Sequence, residues 1–318
     1  MKFRFTAAIA VISLCIASQA AHAETTTVIV PTSAGGGLDG VARIVTSALQ
    51  TKSSDSYVVD NRGGANGLIG AKAAAAARPD GKTWLITDSA VLTVNPSLFP
   101  KDPNFDPEKD LALVAPIGYQ TSVLVVNPKV FPGGLKEFIA KAKAEDVPYA
   151  SGGMGSAGHL TMASFGHMAG LKLVHVPYKG GGPAMADLVG GQIGVAFVAL
   201  SVAMPHIKSG ALNPLAVASR NRVTQLPQVP TVNESGFKGF DVETAFFVFL
   251  PQKSTTETIQ QVRIKIESVI NDPAVQERIR AAGMEPAIKE DASASLKWVQ
   301  KERPKWSALV QQKVISAQ

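Results

Sequence analysis

Gly35-Gly36-Gly37-Leu38-Asp39-Gly40 carries the spacing G-x-G-x-x-G in Gly35, Gly37 and Gly40, after the apolar run Val28-Ile29-Val30 and before a stretch of helical periodicity. Between a strand and a helix, that spacing is the fingerprint of a dinucleotide site, with the pyrophosphate on the helix N-terminus. An acid also stands where a ribose partner belongs. Asp60, twenty residues past Gly40, closes the strand-like Tyr57-Val58-Val59. How this loop is read decides between a dehydrogenase and a protein that holds some other anion.

The same spacing recurs. Gly153, Gly155 and Gly158, within Ser151-Gly152-Gly153-Met154-Gly155-Ser156-Ala157-Gly158, again follow a strand and open a helix. Two dinucleotide fingerprints in one short chain are one too many, and a shared physical cause is simpler. Glycine lets the backbone turn and present N–H groups at a helix N-terminus, where those donors and the helix dipole stabilise an anion. Lys179-Gly180-Gly181-Gly182-Pro183 has the look of a third such turn, with Pro183 suited to a first helical turn. Two details of the first loop argue against a cofactor. Pro31-Thr32-Ser33-Ala34 separates strand from glycines, where the fingerprint places its first glycine at the strand end. Asp39 stands at the helix start, where its carboxylate caps free N–H groups and repels a pyrophosphate.

Around these loops, short β-branched strands alternate with helical patterns, which predicts an α/β architecture with largely parallel sheets. Strands are expected at Thr25–Val30, Ser56–Asp60 and Thr83–Asp88, with helices at Asp39–Lys52 and Leu68–Arg78 between them. A second set follows, with strands at Pro148–Ala150, Leu173–Tyr178 and Ile193–Ala199 and helices at His159–Ala169 and Pro183–Val189. Punctuation at Asn127-Pro128 and Phe131-Pro132-Gly133-Gly134 separates the sets. Further strands at Ala211–Ser219 and Glu243–Leu250 lead to helices at Thr256–Asn271, Pro273–Ala282 and Ala292–Val314. The pattern describes two similar lobes with a shared helical tail.

The N-terminus reads as an export signal: Lys2 and Arg4, an apolar run from Ala7 to Ala17, then Ala21-His22-Ala23. The run is too short to span a bilayer. Cleavage after Ala23 removes 23 of 318 residues and leaves 295, with Glu24 first. A chain of that length favours two domains. Cys15, the one cysteine, lies inside the leader behind Leu14, so the mature chain has no disulfide, no cysteine metal site and no thiol nucleophile. The net charge of +6 falls to +4 without Lys2 and Arg4, and no basic run or interleaved aromatics mark a nucleic-acid face. Mild positive charge suits an anionic small ligand.

Ordered blocks along nearly the whole mature chain resemble one family. They include Pro31–Asp39 with Ala42-Arg43, Val59-Asp60-Asn61-Arg62-Gly63-Gly64-Ala65, Pro79-Asp80-Gly81, Asn95-Pro96-Ser97-Leu98 and Tyr149-Ala150-Ser151. His175-Val176-Pro177-Tyr178-Lys179-Gly180 is the most specific, continuing through Asp187-Leu188 to Gly190-Gly191-Gln192. Val229-Pro230-Thr231 and Glu234-Ser235-Gly236-Phe237 follow in order. The chain so resembles the periplasmic solute-binding proteins of the tripartite tricarboxylate transporters, the Bug-type receptors. That resemblance implies a two-lobed, type II-like periplasmic binding protein fold. It has two parallel-rich sheets joined by crossing strands, here Thr121–Asn127 and Glu243–Leu250, and a ligand cleft between lobes. Residues 24–121 with 230–318 form one lobe and residues 122–229 the other. A monomer is expected, working with the membrane components of such a transporter, with no cofactor and no nucleic acid.

By the same resemblance, Thr32, Ser33, Ala34, Gly35, Gly36 and Gly37 bind a carboxylate through backbone N–H groups and hydroxyls, while Asp39 shapes the loop. Ser89 joins them, and Gly155, Ser156 and His159 stand opposite. His159 either donates to the ligand or is bonded within its loop, and Tyr178 with Lys179 either meets the ligand or fixes a turn. Phe197 and Phe246 give an apolar lining suited to a ligand with an apolar body. Pro251-Gln252-Lys253 departs from the family's usual Ala-Pro-Ala-Gly. The class of ligand, a di- or tricarboxylate or an aromatic carboxylate, is as far as the motifs reach. A hydrolase acting on a carboxylate ester is the rival reading. Ser156 and His159 invite it, but Met154 stands where G-x-S-x-G requires glycine. His159, His167, His175 and His206 show no metal-ligand spacing.

Overall fold

The structure, a computed structural model, describes residues 24–100 and 105–315. The leader expected at Met1–Ala23 lies outside the described residues. Ten strands run in chain order: β1 Thr25–Val30, β2 Ser56–Asn61, β3 Thr83–Asp88, β4 Leu111–Val126, β5 Val147–Ser151, β6 Leu173–Pro177, β7 Val195–Ala199, β8 Asn213–Val217, β9 Glu243–Pro251 and β10 Met284–Pro286. The helices are α1 Gly37–Lys52, α2 Leu68–Ala75, α3 Ala90–Thr93, α4 Asn95–Leu98, α5 Pro107–Asp110, α6 Leu135–Ala144, α7 Ala157–Ala169, α8 Gly181–Gly190, α9 Leu200–Lys208, α10 Thr256–Ile270, α11 Pro273–Ala281 and α12 Ala292–Gln311.

The strands form one hydrogen-bonded path, β2-β1-β3-β9-β4-β7-β5-β6, with β8 and β10 also on β4. Outer pairs β1–β2, β1–β3, β5–β6 and β5–β7 are parallel, as crossover helices require. Around β4 and β9 the pairing is antiparallel. β4 is the join: it pairs with β9 over Leu111–Thr121 and with β7 over Ser122–Val126. β9 follows the second lobe in sequence and completes the first lobe's sheet between β3 and β4.

The crossing strand expected at Thr121–Asn127 is therefore ten residues longer at its start. Pro116 and Gly118 disguised that half as a turn. The β4–β9 register shifts between Pro116 and Gly118, and again between Leu113 and Ala115, and the bulge between Pro116 and Gly118 lets both stand in the strand. Gly118 is also crowded, because a Cβ there would stand 2.5 Å from the Glu285 carbonyl on β10. Short helices α3 to α5, and also α6 and α9, occupy stretches that the periodicity left unassigned.

Each sheet is covered on both faces. Val28, Val30, Trp84, Phe246 and Val248 meet α1 and α10 on one side of the first sheet. Ile29, Leu85, Phe247 and Phe249 meet α2 and Val299 of α12 on the other. In the second sheet Leu124, Val195 and Phe197 pack against Phe165 of α7, and Val123, Val125 and Ala196 against α8 and α9. A fifth cluster joins the lobes: Ala90, Val94 and Trp306 from the first touch Leu160 of α7 in the second. The buried stripe Leu38, Val41, Ala42, Val45, Ala48 and Leu49 fixes α1 on its sheet, so the chain turns sharply just after β1.

Candidate functional site

The turn before α1 is held from beneath by a carboxylate. Asp39, 3% exposed, accepts hydrogen bonds from the Gly35 amide at 3.0 Å, Arg43 Nε at 2.9 Å and Asn61 Nδ2 at 3.0 Å. Asn61 Nδ2 also donates to the Thr32 carbonyl at 3.1 Å, which ties the loop to β2. Burial pushes the Asp39 carboxyl up, but the bonds from Arg43, Gly35 and Asn61 outweigh it and hold it below the usual carboxylate range. Gly35 turns at φ +85°, a backbone that an L side chain adopts only with strain. Its amide is committed to Asp39 and is withdrawn from any ligand.

Other donors at this helix start have no partner. Gly36 is an N-cap without a side-chain cap, so the first-turn amides of α1 are unpaired among the described residues. Thr32 Oγ1 and Gln120 Nε2 are buried without a hydrogen-bond partner, and so is Thr121 Oγ1. Gln120 reaches the helix start itself: a Cβ on Gly37 would lie 2.8 Å from its Nε2. Buried polar groups in native proteins are almost always satisfied, so a cluster of orphans beside an open helix N-terminus marks a place for an acceptor. Gln120 and Thr121 escaped the sequence reading. Their signal was the polar triplet Gln120-Thr121-Ser122 inside the otherwise apolar stretch from Ile117 to Val126.

The turn before α7 is closed on itself. Ser151 Oγ lies 3.1 Å from both the amide and the carbonyl of Gly153, and 2.6 Å from His175 Nε2. The Gly155 amide donates to His159 Nδ1 at 3.0 Å, and Ser156 caps the helix through the His159 amide at 3.5 Å. The His159 and His175 rings stack with centroids 4.0 Å apart, and Tyr149 stacks on His175 at 5.1 Å. Burial, and then the neighbouring His175, depress His159 to about 4, so its ring is neutral. Of the second-lobe residues expected at the ligand, His159 is bonded within its loop. Tyr178 gives its hydroxyl to Asp187 on α8 at 2.7 Å. Phe197 and Phe246, expected to line the cleft, are 1% and 2% exposed in the two cores, because their strands' alternation turns them onto α7 and α1.

The turn before α7 meets the first lobe at Asn66, just before α2. A Cβ on Gly155 would stand 2.5 Å from Asn66 Nδ2 in the first lobe. Asn66 sits in a left-handed conformation, φ 51°, with its amide on Asn95 Oδ1 at 2.7 Å, and Asn95 Nδ2 returns a bond to the Asn66 carbonyl at 2.9 Å. Beside this contact a cavity of about 20 Å³ lies between the lobes, lined by Asp88, Ser89, Ala157, Leu160, Glu243, Thr244 and Trp306 among others. Burial pushes Asp88 up to about 6, against a bond from the Ala90 amide. Burial, then Asp241, Glu302 and Glu285, push Glu243 up to about 7.

The sequence pattern of the tripartite tricarboxylate transporter family receptor matches residues 41–315. The chain belongs to that family. Protein BugT of Bordetella pertussis (strain Tohama I) is 36% identical over 263 residues, covering 82% of this chain and 80% of BugT. The periplasmic binding protein BugD superposes with a TM-score of 0.85 at 29% identity, over 93% of this chain and 99% of that one. MatC from Rhodopseudomonas palustris, solved with bound malate, gives 0.80 at 27% identity over 90% and 99%. The family is one of receptors, and the opening question is answered at that level: the glycine string belongs to a binding protein. Asp60, the would-be ribose ligand, is instead paired to Arg62 Nε at 2.7 Å on the surface of the receptor.

Proposed function

We propose that this receptor binds a small carboxylate, a di- or tricarboxylate or an aromatic carboxylate, in the cleft and presents it to the membrane components of a tripartite tricarboxylate-type transporter. The observation that carries this reading is the set of orphan donors at the start of α1: its free first-turn amides, Thr32 Oγ1 and Gln120 Nε2. A carboxylate there accepts from all of them and lies on the positive end of the helix dipole. No activated nucleophile stands beside it, since Ser156 caps a helix and His159 Nδ1 is taken by Gly155. The ligand is held and released unchanged. Met1–Ala23 is cleaved and the mature monomer works in the periplasm. Its lobes divide near the place where β4 changes partner, residues 24–121 with 230–318 against 122–229.

A thermal-shift screen of the mature protein against a carboxylate library tests the class, because a ligand of the folded state raises Tm by mass action. Gly36→Asp tests the place. A Cβ there meets only the Ser33 carbonyl at 3.7 Å, so the fold survives while a negative charge enters the anion site. Losing two charge-assisted hydrogen bonds, each worth about 1.5–3 kcal/mol, lowers affinity on the order of a hundredfold or more. Undiminished binding by a folded Gly36→Asp protein would refute the assignment.

A further inference from the structure

The cavity between the lobes takes its walls from both of them. The first lobe gives Asp88, at the end of β3, and Glu243, at the start of β9, while the second gives Ala157, Leu160 and Thr161 of α7. Beside it Leu160 packs with Ala90, Val94 and Trp306, so apolar contact between the lobes replaces water next to the two acids. Parting the lobes withdraws α7 and lets water reach both.

Neither acid has a counter-ion. Asp88 accepts one hydrogen bond, from the Ala90 amide at 2.9 Å, and Glu243 has no hydrogen-bond partner among the described residues. No lysine, arginine or histidine lines the cavity. The surrounding elements do not supply the missing charge. On α12 Glu302 is paired with Lys305 at 2.6 Å, on β10 Glu285 is paired with Arg280 at 3.6 Å, and Asp241 just before β9 adds a further negative charge. α3 carries no charged residue, β4 sets Thr121 opposite Glu243, and His159 on α7 is neutral and bonded inside its own turn. A carboxylate so placed keeps its charge only at the cost of its hydration, so contact between the lobes favours the protonated form of both acids.

We propose that closing the lobes on a ligand takes up protons at Asp88 and Glu243, so that the receptor grips its ligand more firmly in a more acidic medium. The proposal rests on the carboxylate reading above and adds a control to that site. With the lobes apart, both acids face water and titrate as ordinary carboxylates, at about 4. With the lobes together, burial raises Asp88 to about 6 and Glu243 to about 7. A raised carboxyl favours the closed arrangement while it is protonated. Closure is therefore unhindered below about pH 4, weakens as pH rises through about 6 and 7, and levels off above about 8.

Calorimetric titration with fumarate, trans-aconitate and benzoate tests it, because all three stay ionised from pH 6 to 8 and cannot themselves supply the titration. In HEPES and in Tris at pH 7, buffers of different ionisation heat, a probe that binds the wild-type protein should take up about half a proton, and it should bind about tenfold more weakly at pH 8 than at pH 6. Asp88→Asn combined with Glu243→Gln imitates the protonated pair, so it should take up none and keep one affinity across the range. Carbon-13 carboxyl titration of the wild type needs no variant: Asp88 and Glu243 should titrate at higher pH with the probe bound than without it. Binding with no proton uptake and a flat affinity overturns the proposal and leaves the receptor reading standing. So does uptake that persists in the folded double variant, or equal carboxyl titration with and without the probe. A folded wild-type protein that binds none of the three counts against the carboxylate reading and removes this inference with it.

Discussion

The turns before α1 and before α7 carry the same glycine spacing, follow the same kind of strand and open the same kind of helix, yet they are stabilised by opposite chemistry. The first is held by an ionised acid, Asp39, which spends one loop amide and leaves Thr32, Gln120 and the first-turn amides free. The second is held by two stacked neutral imidazoles, which with Ser151 consume its amides at Gly153 and Gly155. Glycine spacing thus specifies a backbone shape, while the neighbours decide whether the exposed donors remain for a ligand. The proposed site lies at the first turn, and the second meets the first lobe through Gly155 and Asn66.

Acid should separate the two turns first, and by the largest margin. His159 titrates near 6.5 in the unfolded chain and at about 4 in the folded one, so the unfolded chain binds the extra proton between those values. Its contribution is complete above pH 6.5 and falls as pH drops toward 4, by roughly 3 kcal/mol at about 1.36 kcal/mol per pH unit. Protonation at Nδ1 also turns the acceptor of the Gly155 amide into a donor. Asp39 has the same sense in a lower window, for its folded value lies below 3.8 and its contribution is lost only as pH falls beneath about 3.8. Amide resonances followed from pH 7 to 4 should therefore show Gly155 moving well before Gly35. Simultaneous movement would erase the distinction.

Asp39→Ala should be the next largest effect. It leaves the Gly35 amide and one Asn61 bond unmet, a cost of about 1–2 kcal/mol because Gly35 itself is exposed and water recovers part of the loss. Arg43 is half exposed and regains water, so its lost ion pair adds little. Chemical denaturation should show the loss, and ligand affinity should fall with it because the donors lose their frame. A variant as stable as the wild type would mean that Gly35 and its neighbours hold the turn unaided.

These contrasts explain what the sequence revealed and what it hid. β1, β3, β9 and the long helices were legible because their apolar spacing is uninterrupted, as in Thr83–Asp88, where expectation and structure coincide. β4 was half hidden because Pro116 and Gly118, which flank a bulge, break the strand pattern. The first turn was legible as a glycine turn shaped by Asp39, which the structure shows bonded to the Gly35 amide. Gln120 was not, since it lies far away in sequence and is brought to Gly37 only when β4 pairs with β9. Phe197 and Phe246 were misplaced for a related reason: which face an alternating strand turns to the cleft depends on a register that no single strand reveals.

Gly155→Ala should have a smaller effect, confined to closure. Its φ of +73° costs an L residue about 1–2 kcal/mol, and the new methyl would press on the Asn66 side chain, which can shift at its far end. Ligand dissociation should quicken, while scattering by the unliganded protein should show a more open average shape. If Asn66→Ala in the Gly155→Ala background fails to restore slow dissociation, the methyl acts through its own backbone rather than through the contact between lobes.

Asp60→Ala should have the smallest effect, and it addresses the glycine string directly. In a dinucleotide site this acid at the end of β2 would hold the ribose, and its loss would abolish cofactor binding. Here its partner is Arg62, the side chains are 34% and 47% exposed, and the pair is worth at most a few tenths of a kcal/mol in solvent. The proposed carboxylate site is built from Thr32, Gln120 and the α1 amides, whereas the Asp60 carboxylate is bonded to Arg62. Affinity for any carboxylate found in the screen should therefore stay within about twofold of wild type, near the smallest difference such free-energy comparisons resolve. Tm should also stay close to the wild-type value. NAD titrated into wild type and variant supplies the contrary case: heat of binding in the first that vanishes in the second would return the first turn to the dinucleotide reading and leave the orphan donors beside α1 to a pyrophosphate.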